Sequence, residues 1–187
     1  MLYDGGAMAL RAHQVGSLAD RVVLLRRLVW FGEQAFDRHS PPVGSLKDPR
    51  MRQIGLAVTQ VCQARNDMCE LGAIFDFTKR NVRYTGDITN KDTFQSAWRT
   101  LQIGGGDCDD MAVLNSVLAM ENGFTTKFRI TSNTGATWDH IYCLAGVPKM
   151  QPRKWVALDT TLPGNNKFGV EPPRAKKEDF DVTEPRR

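Results

Sequence analysis

The hydrophobic pattern of this chain changes period at one place, Asn122-Gly123, and that change limits the folds open to it. Before it, apolar residues recur at intervals of three and four. In "MAVLNSVLAM" the residues Met111, Leu114, Val117 and Leu118 predict a buried helical stripe. After it they alternate: "FTTKFRITS", "WDHIYCLAGV" and "KWVALDTT" predict three strands. The link "PKMQPR" has hairpin character, so the strands are expected to pair antiparallel. Asn122-Gly123 itself is a helix stop signal. Helices followed by strands in 187 residues predict a single α+β domain.

The upstream helices follow from the same spacing. "SLADRVVLLRRLVWFGEQAF" predicts a helix with Ser17 as N-cap and Asp20 at the capping-box position. Its apolar residues spread beyond one face, so it wants two partners: the core of the chain, or another chain. "DRHSPPVGSLKDP" breaks it, and Pro49 opens a second helix with Ile54, Val58, Val61 and Cys62 near helical spacing. A third helix is expected over "MCELGAIFDFTKRN", then a short β-like "VRYTG" and a short helix or turn at "TFQSAWRTL". Three parts are expected: residues 1–48 as a helical extension, 49–162 as the core, and 163–187 as a polar, Pro-rich tail. Without apolar periodicity, that tail is expected to be flexible unless a neighbouring subunit holds it.

Charge and cysteine content exclude several classes. The net charge is +4, but residues 101–150 hold three basic and five acidic side chains. With no basic stripe, direct nucleic-acid binding is not expected. No apolar run reaches the length of a membrane span, and the start "MLYDGGAMALRAHQVGSLADR" lacks the pattern of a secretory signal, which predicts a cytoplasmic chain. Cys62, Cys69, Cys108 and Cys143 are scattered without a CxxC pair and are expected to be free thiols.

One of these thiols stands apart. In "IGGGDCDDMAVL" the glycines Gly104, Gly105 and Gly106 allow a sharp turn, Asp107 is placed to cap a helix, and Cys108 falls at its first position. There the helix N–H groups and dipole favour a thiolate, while Asp109 and Asp110 oppose it, so a basic partner is required. The histidines are three: His13 in a Gly/Ala-rich leader, His39 in the Ser-Pro-Pro loop, and His140 in a predicted strand. The next strand offers Asp159 just after "WVAL". Cys108, His140 and Asp159 thus form a candidate set of nucleophile, base and orienting carboxylate. Taken singly, each has an ordinary reading: a packed thiol, a hydrogen-bonded histidine, a strand-end turn residue. Asp107, Asp109 and Asp110 do not follow a calcium-loop pattern, and no metal is expected. Cys143 falls on the strand face opposite His140 and is expected in the core.

The motifs "GGGDCDDMAVL", "WDHIY" and "WVALDTT", preceded by "ELGAIFDFTKRNVRYTGD", resemble the transglutaminase-like superfamily, a branch of the papain-like cysteine enzymes, over roughly residues 50–161. Two positions depart from its pattern: Tyr142 stands where the family more often has tryptophan, and Thr160-Thr161 where it commonly has proline then threonine. The resemblance implies a papain/transglutaminase-like fold, with the cysteine-bearing helix packed on a small antiparallel sheet and 49–162 as its catalytic core. It implies acyl transfer through a thioester on a peptide or protein substrate, without a cofactor. Oxyanion stabilisation would come from the Cys108 N–H and a second donor, Gln102 or Trp98. A structural or assembly protein on the same fold is the alternative, using residues 17–36 and 163–187 as contact surfaces. A bacterial or phage component, virion-associated in the second case, suits such a small chain.

Overall fold

The computed structural model describes residues 17–86, 93–162 and 168–185. His13 lies outside these residues. Helix α1 runs Leu18–Phe31 and starts at Ser17, whose Oγ accepts from the Asp20 N–H. It ends earlier than the apolar pattern predicts. Gly32 turns with φ +53°, and a Cβ there would strike the Val43 carbonyl oxygen at 1.9 Å, so only glycine fits. A short 3₁₀ turn, Gly32–Ala35, follows. Helix α2, Pro49–Thr59, is capped by Asp48, and α3, Asp67–Asn81, by Asn66.

A two-residue strand β1, Arg83–Tyr84, comes next, then helix α4, Ala97–Ile103, and strand β2, Gly105–Gly106, which pairs parallel with β1. Helix α5, Cys108–Glu121, stops at Asn122 as predicted. Four strands complete the chain: β3 (Thr126–Ser132), β4 (His140–Val147), β5 (Lys154–Leu158) and β6 (Lys176–Asp181). They form an antiparallel sheet in the order β5-β4-β3-β6.

The tail corrects the expectation of a flexible segment. β6 lies along the edge of β3, with Arg129 opposite Asp179 and Lys127 opposite Asp181. Both pairs are ion pairs, at 2.6 and 3.3 Å. Cross-strand charge complementarity thus fixes the register of a strand with little apolar content. Phe180 and Val182, two residues apart, turn inward to the core. Glu171 adds a clamp on the outer face, accepting from Arg129, Tyr142 Oη and Lys177. These bonds hold its carboxyl down at about 2 against the opposing effect of burial.

The cysteine expectation is also corrected. Cys62 lies beyond the end of α2 and is disulfide-bonded to Cys69 in α3. Val61, expected on the second helix, lies past its end and is 79% exposed. Cys108 and Cys143 are free, and Cys143 is buried on the helix-facing side of the sheet, as predicted.

The core lies between α5 and the sheet. Every α5 residue from Asp109 to Ala119 is buried, so the helix is covered on all sides rather than along one stripe. Helix α1 supplies Val22, Leu24, Leu25, Leu28 and Val29 to the same core. At roughly 1.5–3 kcal/mol for each fully buried side chain, this gives α1 ample reason to dock within its own chain. Among the described residues no helix is long and apolar enough to cross a membrane.

Candidate active site

The site begins with the turn before α5. Gly104 closes α4 in the left-handed region (φ +66°) and donates to the Thr100 carbonyl. Gly106 meets a different constraint: a Cβ there would lie 2.7 Å from Asp110 Cβ and 2.9 Å from its Oδ2. Asp107 caps the helix as predicted, accepting from the N–H groups of Asp109 (2.9 Å) and Asp110 (3.2 Å). Asp110 returns the bond by accepting from the Asp107 N–H at 3.3 Å, which completes a capping box. Cys108 is therefore the first helical residue.

Gln95, which no motif singled out, buttresses this turn. Its backbone N–H donates to Asp110 Oδ1 at 2.8 Å, and its Nε2 donates to Asp110 Oδ2 at 2.6 Å and to the Gly105 carbonyl at 3.3 Å. Burial and the charge of Asp107 nonetheless raise the Asp110 carboxyl to about 7. Gln102 and Trp98, the two expected oxyanion donors, both lie on α4. Gln102 is exposed on α4, and Trp98 lies under the Arg50 guanidinium, 4.3 Å from its ring centroid.

His140 and Asp159 come together at one end of the sheet. Pairing of Cys143 with Leu158 sets the start of β4 beside the end of β5. His140 is the first residue of β4, and Asp159 follows the last of β5. Imidazole Nε2 lies 2.8 Å from Asp159 Oδ2, and the Asp159 side chain is fully buried. Thr161 secures the carboxylate: its hydroxyl donates to Oδ1 at 2.7 Å and its N–H at 3.3 Å. With Nε2 committed to Asp159, Nδ1 is the nitrogen left to exchange a proton. Tyr142, next on the same strand face, lies with its ring centroid 5.6 Å from that of the imidazole. His39, by contrast, sits exposed in its loop against Asp37.

Helix α5 packs on β4, and this brings Cys108 to the histidine strand: the Ile141 N–H, one residue after His140, donates to the thiol. The electrostatics follow the expectation that neighbouring acids oppose the thiolate, with Asp107 acting in the place of Asp110. Burial pushes the thiol well above its ordinary value, Asp109 and Asp107 push it further, and the Ile141 N–H and Arg21 pull it down. The helix N-terminus does not by itself yield a thiolate. Ligand atoms of Asp107, Cys108 and Asp109 lie within 4.8 Å of one another. Asp107 accepts from helix N–H groups and Asp109 pairs with Arg21, so both carboxylates already have partners within the chain.

Beside this turn a groove of about 660 Å³ runs between the end of α3, β1 and the Gly104-Gly105 backbone. Lys79, Arg80 and Arg83 line it, with Ile103 at its edge.

Two solved structures are similar to parts of this chain. A candidate cysteine protease from Cytophaga hutchinsonii matches at 19% identity with a TM-score of 0.48, over 60% of this chain and 37% of its own. A candidate protease from Parabacteroides distasonis matches at 13% identity with a TM-score of 0.52, over 75% of this chain and 29% of its own. This chain thus spans about a third of the length of those two proteins. No curated protein matches it significantly. The model of the transglutaminase-like superfamily matches residues 54–160, which hold the turn, the helix and both strand ends described above. By that match, over more than half of its length, the chain belongs to the transglutaminase-like superfamily.

Proposed function

We propose that this chain is a cysteine-dependent amide or isopeptide hydrolase or acyltransferase acting on a peptide or protein. Cys108 is the nucleophile, His140 the base and Asp159 the residue that orients it. The observation that carries this reading is the His140–Asp159 hydrogen bond of 2.8 Å, formed by a buried carboxylate at the strand ends next to the Cys108 helix. In that arrangement Asp159 holds the proton on Nε2, and Nδ1 accepts the thiol proton. The thiolate attacks the amide carbonyl, and the histidine returns its proton to the departing amine. Water or a second amine then releases the acyl group. The Cys108 N–H, at a helix start, supplies one oxyanion donor.

The raised thiol is the one observation that favours a second reading, a structural or assembly component on an inactive version of the fold. Two measurements separate the readings. The first compares iodoacetamide labelling of Cys108 in wild type, His140→Ala and Asp159→Asn by mass spectrometry. The second follows casein incubated with wild type or Cys108→Ala, scored for cleavage, deamidation and cross-links. The enzyme reading expects labelling to depend on His140 and products to depend on Cys108. Equal labelling in all three proteins, with no product that needs Cys108, refutes it.

A further inference from the structure

We propose that Arg21, on the first helix, is a positioning residue for the Cys108 thiol: its guanidinium neutralises the buried carboxylate next to the nucleophile, so that α1 sets the acidity of the site. The inference rests on Cys108 being the nucleophile.

The geometry is specific. Arg21 Nη2 lies 2.9 Å from Asp109 Oδ2. Asp109 is 1% exposed, and its carboxylate oxygen lies within 4.8 Å of Cys108 Sγ and of the Asp107 carboxylate. Two acidic groups therefore flank the thiol on α5 itself. From the other elements packed on it come the Ile141 N–H and His140 on β4, Asp159 after β5, and Arg21 on α1. Arg21 is the cation among them whose charge is permanent. His140 carries charge only when protonated, and it must be neutral to take the thiol proton.

The helix is built to deliver it. Arg21, Leu25 and Leu28 are four and three residues apart and share a face, and Leu25 and Leu28 are fully buried. Phe94 lies 5.6 Å from the guanidinium and walls it in. An arginine within a buried stripe is costly unless paired, and here the pair is formed with a carboxylate that would otherwise be buried beside a developing thiolate. Helix α1 lies outside the residues that match the family model. The compensation thus comes from a part of the chain that the common core does not contain.

The test is the pH dependence of Cys108 alkylation, read site by site by mass spectrometry, alongside thermal melts. An opposite charge within about 4–6 Å moves a titration by about one to three pH units, and Arg21 acts here through the Asp109 carboxylate it pairs with beside the thiol. Arg21→Gln is expected to move the alkylation midpoint up by at least about one pH unit, a tenfold loss of rate at fixed pH below it. Arg21→Lys keeps the charge and is expected to stay near wild type. Asp109→Asn removes one repelling charge and leaves Arg21 in place, so its midpoint should fall below wild type. A purely structural Arg21 would lower the melting temperature and leave the midpoint unmoved in Arg21→Gln. Where Arg21→Gln does not fold, an unchanged midpoint in Asp109→Asn overturns the proposal by itself. The readout is the thiol and not turnover. A chain with no substrate activity can still confirm it, and an active chain can still refute it.

Discussion

Replacing Asn115 with alanine tests how the site is held. Asn115 is fully buried in the middle of α5. Its Oδ1 accepts from Thr78 Oγ1 at 2.7 Å, and its Nδ2 donates to the Leu158 carbonyl at 3.0 Å and to Thr160 Oγ1 at 3.1 Å. One amide thereby joins α3, α5 and the residues on both sides of Asp159. Alanine removes three hydrogen bonds, each worth about 1 kcal/mol net. It also leaves the buried Leu158 carbonyl without this donor, which adds about 1 kcal/mol or more. The expected loss is about 3–4 kcal/mol, or roughly 10 °C in melting temperature for a chain of this size. Urea unfolding followed by tryptophan fluorescence measures it, with Ser116→Ala as the neighbouring control. Ser116 is equally buried. Its hydroxyl contacts only the weak acceptor Cys143, and the control should cost within about 1 kcal/mol. A loss below about 1 kcal/mol for Asn115→Ala would mean that water or repacking satisfies the freed groups, and that the amide does not clamp Asp159.

Two further predictions concern the turn and the disulfide. Asp110 titrates at about 7 in the fold against 3.8 for an ordinary aspartate, so the folded state holds its proton more tightly. Its contribution is fully present below pH 4 and is lost as pH rises to 7. Stability should therefore fall across that range by at most about 4 kcal/mol, and by less in Asp107→Ser, which keeps an N-cap but removes the neighbouring charge; urea midpoints at stepped pH measure both. The Cys62–Cys69 bond closes a loop with a sequence separation of 7. The Cys62→Ser, Cys69→Ser double variant should lose about 2.5 kcal/mol on the chain-entropy argument, and dithiothreitol should lower the wild-type melting temperature by a matching amount; a melt indifferent to both would refute it.

What the sequence made legible follows from how local each signal is. The Asp107 cap, the Asn122 stop, the hairpin between β4 and β5, and the meeting of His140 with Asp159 all depend on residues near one another in the chain or on a single strand register. The β6 strand was hidden because its pairing is written in β3: Lys127 and Arg129 select Asp181 and Asp179 across a long separation. The disulfide was hidden for a related reason. α2 ends at Thr59, and this turns Cys62 toward Cys69, whereas the spacing of Val58, Val61 and Cys62 suggested a longer helix. Gln95 left no pattern at all, since its role is to fill the space under a turn. Arg21 did leave one: it falls on the Leu25–Leu28 face, where a charge needs a partner.

The thiol itself shows why such non-local contacts matter for function. A helix start favours a thiolate through its free N–H groups and its dipole, an effect worth about 0.3–1 kcal/mol at an exposed site. Here the cap that forms the helix start is Asp107, and the residue after the thiol is Asp109. Both are buried acids that oppose the same thiolate. The local motif therefore works against its own nucleophile. Burial adds to the opposition, and the balance can be restored only by groups from other elements. On the proposed reading two such groups differ in kind: His140 on β4, hydrogen-bonded to Asp159, would remove the proton, and Arg21 on α1, paired with Asp109, would cancel a charge without exchanging one. Neither is sufficient by itself. On that reading, without His140 the thiol proton loses its proposed acceptor. Without Arg21 the imidazole would have to abstract that proton beside an Asp109 carboxylate that has lost its counter-charge. Loss of either should silence the thiol for a different reason, and the two losses should differ in their pH profiles. His140→Ala should remove the pH step contributed by the imidazole, whereas Arg21→Gln should keep that step and move the thiol's own titration upward.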